Sequence, residues 1–385
     1  MNNPIKVLNI TKSWGSKTKI EGISTVIMNL YRNMNHDNIQ FHVANINLND
    51  SVFDDEIKSY GGNVFNLYIA GENNSKWNIC KRLIRLINNN KYDAVYIHVS
   101  MGYDAWWMIP VYAFTKTPLR IVHSHNAGVN GTRGDKVRLL LNTLMKPILS
   151  FVCTDFFACS STAAQWAFTK NAFSKKGRII KNAISINDFV FSQSTRDKIR
   201  QKFDWVDTLV LGNVGRISYQ KNQEFLLDIL LEMKKIRPTK LIMIGGGSEG
   251  DVARLKAKIS DVNLEDDVFY LGVRTDVSDY LNAMDCFIFP SRYEGLGITA
   301  VEAQANSLPT ICSTKVPDEA KTTDLFCKVS LDRPVQEWCA LILSKIENSE
   351  RKDMSADLVN GGYDILSVSR DLEKYLLNEV YKNGK

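Results

Sequence analysis

Short runs of β-branched and aromatic residues alternate along this chain with longer stretches whose apolar positions recur every three or four residues. The short runs predict strands at residues 6–10, 41–45, 94–99, 120–123, 155–158 and 178–180, and again at 209–214, 240–244, 268–271, 286–289 and 309–311. Between them the longer period predicts helices over 24–34, 77–88, 136–150, 222–236 and 251–258. Apolar runs alternating with amphipathic helices are the pattern of parallel α/β sheets. The two series share a rhythm, without a close internal repeat or a low-complexity segment, and strand signals lapse over the polar stretch 185–208. The expected organisation is therefore one α/β domain over 1–190 and a second over 191–365. A last helix over 366–385 has Leu366, Leu372, Tyr375, Leu376 and Val380 on its apolar side, and either caps the second domain or packs back on the first.

A length of 385 residues, 44% hydrophobic and 23% charged, suffices for about two buried cores. No run approaches 18 apolar residues, so no membrane-spanning helix is expected. The N-terminus runs straight into a strand without a signal-peptide pattern. The seven cysteines are odd in number, scattered and set mostly in apolar runs, which suits reduced core residues of a cytoplasmic protein and not a disulfide frame or zinc site. Charge is uneven: residues 1–190 carry 22 Lys and Arg against 12 Asp and Glu, and the remainder 26 against 30. A basic first half suits an anionic surface or phosphorylated substrates. Lys76, Lys81, Arg82 and Arg85 gather on the 77–88 helix, with Trp106 and Trp107 further along, the residue types that favour an anionic membrane interface.

The most informative segment is Phe289-Pro290-Ser291-Arg292-Tyr293-Glu294-Gly295-Leu296-Gly297-Ile298-Thr299-Ala300-Val301-Glu302. A buried strand ends, a glycine-bearing loop follows, and a helix starts near Gly297. Free N–H groups and the positive helix end then lie at the carboxyl edge of a parallel sheet, a setting for phosphate. Ile298, Val301 and Ala305 form a buried stripe on which Glu302 falls, so Glu302 should have a hydroxyl or cationic partner.

This segment resembles the Glu-x7-Glu motif of the retaining GT-B glycosyltransferases of family four, of the kind that builds capsular polysaccharides and exopolysaccharides. The resemblance implies that Glu294 lies by the donor sugar, that Glu302 holds the ribose, and that the amides of Gly295, Leu296, Gly297 and Ile298 grip the diphosphate. Asn213-Val214-Gly215-Arg216-Ile217-Ser218-Tyr219-Gln220-Lys221-Asn222 is similar to the family's strand followed by Arg and Lys; a guanidinium and an ammonium suit phosphate oxygens and offset the charge of a departing diphosphate. In His123-Ser124-His125-Asn126 the resemblance favours His125 as the histidine facing the donor sugar and leaves His123 to packing or support. Two histidines so spaced suit a metal as well, but no D-x-D or further ligand accompanies them in the sequence and the family needs no metal. Lys19-Ile20-Glu21-Gly22 matches the family's glycine loop with Glu21 replacing its first glycine, leaving Gly22 for close backbone approach. Ile244-Gly245-Gly246-Gly247-Ser248-Glu249-Gly250 contains the dinucleotide fingerprint, but the acids Glu265, Asp266 and Asp267 precede the next strand instead of ending it. The resemblance makes this a turn beside the nucleoside, with Val273 offering its backbone to the base.

The fold class so implied is α/β, a GT-B arrangement of two Rossmann-like domains whose parallel sheets face a central cleft. The implied function is metal-independent transfer of a hexose, with retention, from a UDP-sugar or GDP-sugar to a saccharide or lipid-linked saccharide at the cytoplasmic face of the membrane, without cofactor or nucleic acid. The alternatives are a GT-B epimerase of nucleotide sugars, which needs no acceptor, and a catalytically inactive partner subunit, for which Glu21 is the best argument.

Overall fold

The computed structural model describes residues 3–12, 14–15, 22–46, 50–100, 102–129 and 134–382, which fall into two compact units. The first unit comprises residues 1–183 and 364–385, and the second 184–363. In the first, seven parallel strands, β1 (Ile5–Thr11), β2 (Ile39–Asn45), β3 (Val64–Asn66), β4 (Ala94–Val99), β5 (Leu119–Ser124), β6 (Asp155–Ala158) and β7 (Gly177–Ile179), lie in the order β3-β2-β1-β4-β5-β6-β7. In the second, six parallel strands, β8 (Leu209–Val214), β9 (Thr239–Ile244), β10 (Val268–Tyr270), β11 (Cys286–Phe289), β12 (Thr310–Ser313) and β13 (Phe326–Val329), lie in the order β10-β9-β8-β11-β12-β13. Every residue of β4, β8 and β11 is buried, because helices cover both faces of the sheets. That is why those strands read as continuous apolar runs. In each sheet the order reverses beside the first strand, between β1 and β4 and between β8 and β11. Ligands of open α/β sheets bind at the carboxyl ends of the strands at such a reversal.

The join falls at 183/184, seven residues before the expected boundary at 190. The physical reason is hydrogen bonding: Ile184 N–H donates to Tyr363 O at 3.0 Å, and Asn306 Nδ2 donates to Phe189 O at 3.0 Å, so residues 184–190 belong to the second unit. The terminal helix, Ile365–Lys382, is part of the first. Its Ile365, Leu372, Leu376 and Val380 enter the core formed with Tyr31, Tyr96 and Phe157, and its Glu373 accepts from Asn35 N–H and Asn38 Nδ2 at 2.9 Å each. Strands β3 and β13 were not expected from the sequence. Both are short edge strands with mostly half-exposed residues, so their apolar signal is weak. No disulfide joins the described cysteines, and six of the seven are buried.

Candidate functional site

Two loops meet beyond the carboxyl ends of β8 and β11. Asn222 adopts φ +57°, a left-handed conformation that asparagine tolerates better than most residues, and its Nδ2 donates to Pro290 O at 3.1 Å. Gln220 Nε2 donates to Tyr293 O at 3.0 Å, and Arg292 N–H donates to Gln220 O at 2.7 Å. These ties bring Lys221 Nζ to 2.7 Å from Glu294 Oε1, with side-chain exposures of 17% and 6%. The same ammonium lies 4.4 Å from the Phe289 ring centroid. Arg216, on the first of these loops, is exposed and forms no ion pair among the described residues. Lys221 and Glu294, 73 positions apart, are thus one buried unit, while Arg216 keeps its five donors for something else.

The second loop delivers a helix. Gly297 caps the helix Ile298–Ala305 with φ +89°, and a Cβ there would sit 2.9 Å from Phe289 Cε1, so glycine is required twice over. Ala300 N–H donates to Gly297 O at 2.9 Å, while the N–H groups of Ile298 and Thr299 precede any intrahelical acceptor and form the positive end of the helix. One turn in, burial pushes the Glu302 carboxyl up to about 7 while the Lys221 charge opposes the rise. The Lys221 ammonium is thus its cationic neighbour, but no hydrogen bond reaches the Glu302 carboxyl among the described residues, and Thr299 Oγ1, three positions before it, is buried without a partner. Val301 and Ala305 are buried as expected, but Ile298 is only half-buried. Two polar side chains that lack partners near a helix N-terminus are what a ligand bearing hydroxyls and phosphate would satisfy.

The glycines of the 245–250 turn have a packing role. Gly245 has φ +142°, and a Cβ on it would lie 2.1 Å from Gly215 O; one on Gly246 would lie 2.9 Å from Val273 Cγ2. Gly247 bridges to Ile217, and Tyr270 Oη donates to Gly245 O at 2.9 Å. The turn therefore lies against the Arg216 loop. Val273, after Gly272 at φ +65°, is 48% exposed. No acid stands at 271–275, just past β10, and Asp267 before it is taken by Lys234 and Lys240, so the dinucleotide pattern lacks its ribose acid.

In the first unit the sequence reading missed a residue. His98 on β4 is the register partner of His123 on β5, and together with His125 it forms a cluster whose ligand nitrogens lie within 4.8 Å of one another. These three are the residues that could hold a metal ion among those described, so the expectation that no further ligand accompanies the histidine pair does not hold. Their hydrogen bonds fix a direction. Asn9 spends its amide donor on His42 O, so Asn9 Oδ1 accepts from His98 Nε2–H at 3.1 Å. His98 Nδ1 must then accept from His125 Nε2–H at 2.9 Å. That leaves His125 Nδ1 an acceptor, buried and without a partner. Burial lowers His98 and His123 well below the usual imidazole range and His125 to about 3, so all three are neutral at physiological pH. His123 is fully buried, bonded through Nδ1 to Tyr96 Oη at 2.8 Å, and serves packing as expected. An 80 Å³ cavity next to His98 is lined by Thr11, Lys12, Ser100 and Asp104. Only the register of β4 and β5 reveals His98, since a histidine within Ala-Val-Tyr-Ile-His-Val reads as core.

Gly22 opens the helix Gly22–Arg32, and nothing lies within 4 Å of where its Cβ would be. The rest of its loop, including Glu21, lies outside the described residues.

Residues 195–357 match the family described as Glycosyl transferases group 1. The chain is 26% identical over 348 residues to EpsF of Bacillus subtilis, named as a glycosyltransferase, covering 89% of this chain and 90% of that protein. It is 24% identical to the capsular polysaccharide biosynthesis glycosyltransferase CapH of Staphylococcus aureus, covering 98% and 99%. Among solved structures, HepE of Anabaena in complex with UDP and glucose superposes with a TM-score of 0.75 at 17% identity, over 97% of this chain and 99% of that one.

Proposed function

We propose that this chain moves a hexose from a UDP-sugar, with retention and without a metal, to a lipid-linked saccharide in surface polysaccharide synthesis, a reading that the match of residues 195–357 to the group 1 glycosyl transferases and the likeness to EpsF support. The observation that carries the reading is the pairing of Lys221 with Glu294 beside a helix N-terminus, with Glu302 unpartnered one turn on. Arg216, Lys221 and the amides of Gly295, Leu296, Gly297 and Ile298 offer positive charge and N–H donors to a diphosphate, which removes the need for a divalent cation. Glu302 and Thr299 suit ribose hydroxyls, and the exposed backbone around Val273 suits the base. HepE was crystallised with UDP and glucose, which supports the donor chemistry, and CapH is named for capsular polysaccharide biosynthesis, which supports the pathway class.

In the reaction the anomeric C–O bond to the β-phosphate breaks and the acceptor oxygen bonds to that carbon on the same face. The acceptor proton passes to the leaving phosphate oxygen, so no side chain has to act as base. Arg216 and Lys221 stabilise the negative charge that grows on UDP, and Glu294, held by Lys221, orients the sugar. In the first unit, the unpartnered Nδ1 of His125 suits a hydroxyl donor. Proton NMR of the anomeric signal during turnover of a panel of UDP-sugars with a diphospholipid saccharide acceptor tests the proposal. Transfer with retained configuration is expected. Inverted product, or an epimerised sugar released without any acceptor, overturns it.

A further inference from the structure

The helix Asp135–Val152 is inside out. Of its 18 residues only Asp135, Asn142 and Leu149, one per two turns, are buried, and the middle one is polar: Asn142 Nδ2 donates to Trp166 O at 2.8 Å. On the outside stand Val137, Leu140, Leu141, Leu144, Ile148 and Phe151, exposed by 60, 60, 41, 58, 41 and 87%. Their spacing of three and four residues makes a continuous apolar ridge along about 22 Å of helix. Surface helices turn such a stripe to the core, and a patch of this kind on the outside marks an interaction surface.

The neighbouring elements extend the patch. The 3₁₀ turn Gly102–Met108 and the helix Ile109–Ala113 pack against this helix and add Trp106, 42% exposed, and Phe114, 66% exposed. The rim is basic. Lys136 and Arg138 flank the ridge, Lys116 follows Phe114, and Lys76 stands over the Trp106 ring at 5.1 Å. The acids of these elements are occupied: Asp135 is buried and paired with Arg138 at 3.2 Å, and Asp104 with Lys12 at 3.6 Å. A second copy of this face would bring like charges together, whereas anionic headgroups complement them.

We infer that the Asp135–Val152 helix lies in the plane of an anionic bilayer, its leucines and Phe151 among the acyl chains and its basic rim at the headgroups. No described helix is long and apolar enough to cross a membrane, so attachment is to one leaflet. The inference rests on the proposed lipid-linked acceptor for its purpose, because a helix seated in the leaflet keeps the enzyme where that acceptor is anchored. It relocates the contact expected on the Lys76–Asn90 helix, where Arg82 is committed to Leu67 O, Asn74 Oδ1 and Glu72 Oε2 at 2.7 Å each.

The test is co-sedimentation with phosphatidylcholine vesicles carrying increasing phosphatidylglycerol. Wild type should partition increasingly as phosphatidylglycerol rises. The Leu140→Gln/Leu144→Gln/Phe151→Gln variant should partition about tenfold less or weaker still, and Lys116→Gln/Lys136→Gln should weaken the dependence on lipid charge. These positions are exposed, so the fold should survive; unchanged circular dichroism and an unchanged UDP thermal shift confirm it. Equal partition of the triple variant and wild type, or no partition at any lipid charge, overturns the inference. So does a wild-type dimer in vesicle-free sedimentation that the triple variant abolishes, since the ridge would then be covered by a second copy. Loss of the UDP shift in wild type as well would instead strike the transferase reading and leave the membrane result standing.

Discussion

The Lys221 ammonium lies 2.7 Å from Glu294 Oε1, and both side chains are more than four-fifths buried. The pair couples the loop after β8 to the loop after β11, so a group suited to diphosphate and a group suited to sugar are set by one contact. Removing one partner leaves a buried charge alone, which costs about 3–5 kcal/mol. Lys221→Ala should therefore lower the urea midpoint of the second unit sharply. Lys221→Met/Glu294→Gln should recover most of that loss without recovering turnover. A single variant as stable as wild type would show that the pair is loose.

Glu302 is the carboxylate whose titration burial raises most among the described residues. Its folded carboxyl titrates at about 7 against 4.5 when unfolded, because burial disfavours the charged form. A raised carboxyl favours the folded state below the unfolded value, and that advantage is lost as pH rises through 7. Glu302→Gln should therefore raise Tm at pH 8 by a few degrees, about 2–4 °C per kcal/mol, and leave it unchanged at pH 4.5. The same variant should bind UDP roughly 10-fold more weakly, with no further loss for 2′,3′-dideoxy-UDP. Glu294→Ala should instead depress turnover more than nucleotide binding. Calorimetry with both nucleotides separates these outcomes, and equal small effects from both glutamates would make them structural.

The neutral histidines predict an acid limb. His98, His123 and His125 are held below the unfolded imidazole value by burial, His125 at about 3. Between pH 6.5 and about 3 the unfolded chain takes up protons that the folded chain refuses, so stability is full above 6.5 and falls as pH drops. The slope is up to about 1.4 kcal/mol per pH unit per group. Thermal melts from pH 7 to 5 should show a steep decline for the first unit that His98→Asn makes shallower. A decline of equal steepness in that variant contradicts the hydrogen-bonded chain from Asn9 to His125.

The strands were legible where both faces are covered, as in β4 and β8, because full burial writes a near-continuous apolar run. The strand, glycine loop and helix start at 289–302 were legible as a motif, since those elements must follow in that order to present N–H groups. Pairings were not. Nothing local in Ala-Val-Tyr-Ile-His-Val announces that His98 meets His125, because that contact depends on strand register. The Asp135–Val152 helix was legible as a helix but not in its orientation. Its apolar positions gather on one stripe, which the pattern alone would turn inward; the structure turns it outward, with Asn142 bonded to Trp166 O on the inner face.

Calorimetric titration of UDP in the presence of EDTA tests the central claim most directly, read on wild type and on Arg216→Ala, an exposed position whose loss should leave the fold intact. Saturable binding by wild type without metal is expected, weakened roughly 10- to 100-fold when the guanidinium is removed. Binding that appears only when magnesium or manganese is restored, and that is indifferent to Arg216→Ala, would contradict it.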